Sequence, residues 1–224
     1  KENAQEAALV KNIKVIGATN LKEIGSYLQG ISNIKPEEHV LDLSGLPPAE
    51  DEFDFSNIKG QETAKRALFI AAAGGHNLLM YGPPGSGKTI LAKALRSILP
   101  DMTYEEAIAV TSIYSVAGMT KSTALIRQRP FRNPHHTTSA PAIIGGGNVP
   151  RPGEVSLAHR GVLFLDELPE FPRNVLEALR QPIEDGAVTV SRASGSNRFP
   201  AEFMLVASMN PCPCGHNGDE KTAC

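Results

Sequence analysis

The chain has 224 residues, 41 % of them apolar, enough to bury a core in one or two domains rather than stay disordered. Its formal net charge of −2 excludes a chain that is basic throughout, as many nucleic-acid binders are. No run approaches the roughly 18 consecutive apolar residues of a membrane helix, and no charged-then-apolar leader opens the sequence.

In chain order, residues 12–18 read as a short strand. Asn20 then suits an N-cap, with Leu21, Ile24, Tyr27 and Leu28 at helical spacing and Gly30 as the stop. Residues 31–55 hold Pro36, Pro47, Pro48 and the acids Glu50, Asp51 and Glu52, which is linker composition. Ala64, Ala67, Leu68 and Ala71 form a helical face, and residues 77–81 an apolar strand. A Gly-rich loop follows, then a helical face of Ile90, Leu91, Ala94, Leu95 and Ile98. Thr103 with Glu106 three residues on predicts a capping box. Residues 130–153, rich in Pro and Gly, predict a break in regular structure.

Residues 161–165 are a continuous apolar run, as in a strand buried on both faces of a parallel sheet. Pro172 opens a predicted helix reaching about Ile183. Val188-Thr189-Val190 and Arg198-Phe199, flanking residues 194–197, predict a hairpin. Residues 203–207 are another buried strand. Alternating strands and helices give a doubly wound α/β fold with a parallel sheet flanked by helices.

Three segments bear chemistry. Gly82-Pro83-Pro84-Gly85-Ser86-Gly87-Lys88-Thr89 matches G-x-x-x-x-G-K-T between a strand and a helix. Glycines let backbone N–H groups converge on phosphate oxygens, and the following helix adds its N-terminal donors. Lys88 supplies a cation for β- and γ-phosphates, and the Thr89 hydroxyl is a Mg²⁺ ligand. The pattern points to ATP with Mg²⁺. Asp166 and Glu167 end a buried strand, where such sheets place nucleotides. Asp166 is expected to hold Mg²⁺, and Glu167 to orient or deprotonate a water. Asn210 ends the next strand, where its amide either meets the γ-phosphate or simply forms a turn before Pro211.

Two further features carry alternatives. Cys212, Cys214 and Cys224 are either part of a Zn²⁺ site or reduced thiols; an odd count without a leader argues against a disulfide framework. No Asp or Glu lies between Glu106 and Glu154, while Lys121, Arg127, Arg129, Arg132, His135, His136 and Arg151 do. That stretch either faces a polyanion or is a solvated loop balanced by acids elsewhere.

Together these residues resemble the AAA+ ATPases, in the branch of the magnesium chelatase ATPase subunit, and within it the magnesium chelatase-like (ComM/YifB) family. The likeness lies in residues 54–68 (DFSNIKGQETAKRAL), 131–137 (FRNPHHT), 153–167 (GEVSLAHRGVLFLDE) and 210–215 (NPCPCG). It implies a P-loop core over 54–224, a linker over 34–53, and a remnant of an S5-like domain over 1–33. Lys88 and Thr89 become Walker A residues, Asp166 and Glu167 Walker B, and Asn210 sensor 1. Residues 120–150 would hold a helix insert and 187–202 a hairpin facing a ring channel, making Arg192 and Arg198 candidate DNA contacts. The family's arginine finger, lid and sensor 2 lie beyond sensor 1.

The resemblance therefore implies a homo-hexameric, cytoplasmic ATPase acting as a DNA helicase or branch-migration factor in DNA uptake and recombination, with no membrane partner. Two alternatives share its ATP residues: a chelatase subunit driving metal insertion into a porphyrin, and a binding module switched by ATP. The opening Lys1 and the polar final stretch to Cys224 fit a piece of a longer protein.

Overall fold

The computed structural model describes residues 3–37, 53–120, 125–147, 150–192, 195–212 and 217. In chain order its elements are helices α1 (Ala4–Ala7), α2 (Leu21–Leu28) and α3 (Glu62–Gly74), strand β1 (Leu78–Tyr81), and helix α4 (Lys88–Ala94), prolonged by a 3₁₀ turn over Leu95–Ile98. Helix α5 (Tyr104–Val116), strand β2 (Phe131–Arg132), helix α6 (Ala140–Ile144), short strands β3 (Gly145–Gly146) and β4 (Arg151–Pro152), and helix α7 (Glu154–Leu157) follow. The remainder is β5 (Val162–Leu165), α8 (Arg173–Ala178), α9 (Arg180–Asp185), β6 (Ala187–Arg192), β7 (Gly195–Pro200) and β8 (Met204–Met209).

The main sheet has the order β1-β8-β5-β2, with every neighbouring pair parallel. Central strand β5 is buried at all four positions, as its unbroken apolar run requires. Its side chains alternate between two cores. Val162 and Phe164 join Leu68, Ala71, Leu91, Leu95 and Val206 on one face. Leu163 and Leu165 join Ile143, Val155, Phe171, Val175, Val188 and Val190 on the other. The expected α/β sheet between helical layers is thus present.

Local signals set several ends. The Asn20 side chain accepts from Glu23 N–H at 2.9 Å, and Thr103 and Glu106 form the predicted capping box at 3.2 and 3.1 Å. Other expectations change. Residues 13–18 form no strand; a strand needs a ladder, and the backbone there gives a carbonyl at Val15 to Glu37 N–H. The helix expected from Pro172 to Ile183 is two short ones meeting at Leu179, with Pro172 as N-cap. Pro182 lacks the N–H that would bond to Ala178 O, and its ring crowds that carbonyl.

Within the Pro/Gly-rich stretch, Phe131 and Arg132 pair with Val162 and Leu163 as the sheet's edge. The hairpin exists, but Ser196 and Asn197 belong to its second strand, paired with Ser191 and Val190. Residues 38–52 of the expected linker lie outside the described residues.

Candidate functional site

Parallel pairing decides what meets at one end of the strands. Tyr81 stands beside Met209, and Leu165 beside Ala207. The residues that leave these strands, Gly82, Asp166 and Asn210, therefore emerge together. The loop after β1 takes left-handed turns at Gly85 (φ 74°) and Gly87 (φ 87°), which a side chain would strain. Its residues are exposed or half-buried, and Lys88 opens α4.

Lys88 Nζ donates to Gly82 O at 2.8 Å, Pro83 O at 2.9 Å and Asn210 Oδ1 at 3.1 Å. Its ammonium thus ties the start of the loop to the end of β8. From the other side Gln61 Nε2 donates to Ser86 O at 3.1 Å. Ser86 Oγ is buried and makes no hydrogen bond. Such a hydroxyl costs about 1–3 kcal/mol, so a ligand oxygen arriving here gains from satisfying it.

Across the loop, Thr89 Oγ1 donates to Asp166 Oδ2 at 2.8 Å. Ser208 Oγ donates to Asp166 Oδ1, and Glu167 N–H donates to Ser208 Oγ at 3.3 Å. Glu167 adopts a left-handed backbone, φ 54° and ψ 51°, and its side chain is 54 % exposed. His136 Nδ1 lies 3.8 Å from Glu167 Oε2, with its ring 4.0 Å from that of His135 and edge-on to Phe171.

The loop, both acids and Asn210 line a cleft of about 400 Å³. A hydroxyl and a carboxylate are hard oxygen donors suited to Mg²⁺, and the first amides of α4 have no intrahelical acceptor. A wider cleft of about 630 Å³ lies at the opposite end of the strands. Its two arginines are taken up there: Arg129 bonds to Glu106 at 3.0 Å and Arg160 to Glu202 at 2.9 Å.

With this geometry in place, comparison with known proteins is direct. The profile of the family described as "Magnesium chelatase, subunit ChlI" matches residues 54–224. The chain belongs to this magnesium chelatase family of AAA+ ATPases. It is 49 % identical over 96 % of its length to "Competence protein ComM" of Haemophilus influenzae, and 45 % identical over all of its length to "Uncharacterized protein YifB" of Escherichia coli. It spans 43 % and 44 % of those two proteins. A solved complex of the BchI and BchD subunits of magnesium chelatase matches with TM-score 0.58 and 29 % identity, over 73 % of this chain and 56 % of that one.

As a member of the magnesium chelatase family, the chain unites the residues singled out in its sequence: Pro84 to Thr89, Asp166, Glu167 and Asn210 line one cleft, with Gly82 and Pro83 beside it accepting from Lys88. Sequence reasoning missed Ser208, Gln61 and His136. Gln61 and His136 lie in segments that carry the family likeness but were given no role at the site, and Ser208 meets it only through strand register.

Arg198 is exposed on β7, on the face opposite half-buried Phe199. For Arg192, only its backbone position as the partner of Gly195 is described. Cys212 is half-buried and accepts Asn217 N–H at 3.2 Å. Cys214 and Cys224 lie outside the described residues, and among the described residues no group of three or more His, Cys, Asp or Glu could hold a metal ion.

In the basic stretch, Arg129 and Arg132 are balanced by acids from elsewhere, as one of the two readings expected, but are half-buried rather than solvated, while His135 and Arg151 are exposed and Lys121 lies outside the described residues. Arg129 and Arg132 are braces inside the fold, bonded to Glu106 and Glu154, with side chains 16 % and 26 % exposed. Acids distant in sequence neutralise them where they are buried. Among the described residues no helix is long and apolar enough to cross a membrane.

Proposed function

We propose that this chain binds ATP with Mg²⁺ and hydrolyses it, and that in the longer protein it drives a self-associating motor on DNA. The observation that carries the ATPase reading is the convergence of Lys88 and Thr89, Asp166 and Asn210 at one loop, from three places in the chain. Loop amides bind the triphosphate, and the Lys88 ammonium turns from the Gly82 and Pro83 carbonyls, which hold it now, to the phosphate oxygens. Thr89 and Asp166 hold Mg²⁺, which when bound neutralises phosphate charge. Glu167, its carboxylate open to solvent, takes the proton of the attacking water. Asn210 gives its carbonyl oxygen to Lys88 and keeps its amide hydrogens for the γ-phosphate or that water.

The DNA reading is supported by the exposed Arg198 on the β6–β7 hairpin and by 49 % identity to a protein named for competence. A chelatase role is the second reading, supported by 30 % identity over 71 % of the chain to the "Magnesium-chelatase 38 kDa subunit" of Rhodobacter capsulatus. Identity is higher, and covers more of the chain, on the competence side. The test is the ATPase rate of the full-length protein with and without forked DNA. Stimulation that falls steeply with salt, and is weakened by Arg198→Ala, is expected of backbone-phosphate contacts. Turnover indifferent to DNA at low salt, with metallated product when chelatase partners and protoporphyrin are added, would favour the second reading.

A further inference from the structure

Ser208 is wholly buried, one residue beyond Ala207, which pairs with Leu165 at the end of β5. That step sets its hydroxyl against the two acids that follow β5. The hydroxyl has one proton, and it goes to Asp166 Oδ1. Its lone pairs face the backbone of the next residue and accept Glu167 N–H at 3.3 Å. The other Asp166 oxygen, Oδ2, accepts from Thr89. Both oxygens of this carboxylate therefore have a donor, one from the loop helix and one from β8.

A carboxylate held at both oxygens cannot rotate about its terminal bond without breaking a charge-assisted hydrogen bond. The same hydroxyl meets the N–H of Glu167, whose left-handed backbone a non-glycine residue seldom adopts without support. Two residues further along β8's path lies Asn210, bonded to Lys88. A single side chain thus joins the strand that carries Asn210 to both acids.

We infer that Ser208 is a positioning residue, which fixes the Asp166 carboxylate for Mg²⁺ and sets the backbone of Glu167. This rests on the ATPase reading above. It predicts that removing the hydroxyl weakens the metal's contribution to nucleotide binding and leaves binding to the loop intact.

The experiment is a fluorescent-ATP titration of the full-length protein, without Mg²⁺ and then across a Mg²⁺ series, for wild type, Ser208→Ala and Ser208→Cys. Alanine removes donor and acceptor in nearly the same volume; cysteine fills the space with a weak donor. Loss of a hydrogen bond to a charged group predicts a rise of about tenfold in the Mg²⁺ concentration at half-saturation for Ser208→Ala, with a smaller rise for Ser208→Cys. Affinity without Mg²⁺ stays within about twofold of wild type on this reasoning.

An unchanged Mg²⁺ half-saturation in whichever variant folds overturns the inference. So does a parallel fall of metal-free affinity and thermal midpoint, which assigns the hydroxyl to packing alone. Wild type that binds no nucleotide overturns the ATPase reading itself, a result distinct from either of these.

Discussion

Replacing Arg132 by Met tests whether the end of β2 is held by its ion pair. Arg132 Nε lies 2.6 Å from Glu154 Oε2, and Nη2 lies 2.8 Å from Oε1. The adjacent Glu154 carboxylate raises the guanidinium's pKa above its ordinary value, against the opposing effect of burial. Two charge-assisted bonds are worth about 1.5–3 kcal/mol each before exposure is considered. The side chains are 26 % and 21 % exposed, so solvent screens part of this, and about 2 kcal/mol of coupling remains.

Arg132→Met also strands Glu154 in a half-buried site, so its total cost is about 3 kcal/mol. For a chain of this size each kcal/mol moves Tm by about 2–4 °C, which places the drop near 6–12 °C. Glu154→Gln alone costs a comparable amount. The double variant should be more stable than the sum of the singles predicts by about 2 kcal/mol, read from urea unfolding of all four proteins. Single effects that add within about 0.5 kcal/mol would refute the pairing as a source of stability. Methionine keeps most of the aliphatic stem, so lost packing is not what the cycle reports.

Lys88→Ala should reduce ATP affinity by at least about tenfold, since it removes a charge and the tie between loop and β8; isothermal calorimetry reads this directly, and unchanged affinity removes Lys88 from the site. Glu167→Gln should bind ATP with near wild-type affinity and lower turnover by about 10²-fold or more, measured by single-turnover hydrolysis. Buried His159 has its pKa lowered from 6.5, mainly by desolvation and then by Arg160, with Glu202 and Glu106 opposing. Its Nδ1 accepts Glu202 N–H at 3.1 Å, a bond only the neutral ring keeps.

The unfolded chain therefore protonates His159 first, and its share of stability is complete above about pH 6.5 and is lost as pH falls below that, by at most about 1.4 kcal/mol per pH unit. Between pH 7.5 and 5.5, urea midpoints should fall more for wild type than for His159→Gln. Equal slopes would assign the acid sensitivity to other groups.

Much of the nucleotide-site candidate is legible in the sequence because it is contiguous. A phosphate loop is eight neighbouring residues whose shape comes from its own glycines, and the capping box at Thr103 and Glu106 is likewise local. The apolar runs before Asp166 and Asn210 announce buried strands for the same reason. The break at Leu179 was equally present in sequence, at Pro182, and lay hidden under a helical pattern of apolar residues.

Other features belong to the tertiary structure. Strand β2 is two residues long, too short for any periodicity, and exists because β5 offers Val162 and Leu163 as partners. Arg129 and Arg132 read as part of a basic surface until folding sets Glu106 and Glu154 against them. Ser208, an ordinary serine in an apolar run, lies over 40 residues from Asp166 and touches it because two parallel strands settle in one register. Chain-local chemistry can be read from neighbours in sequence; contacts made by sheet pairing depend on a register that only the packed cores select.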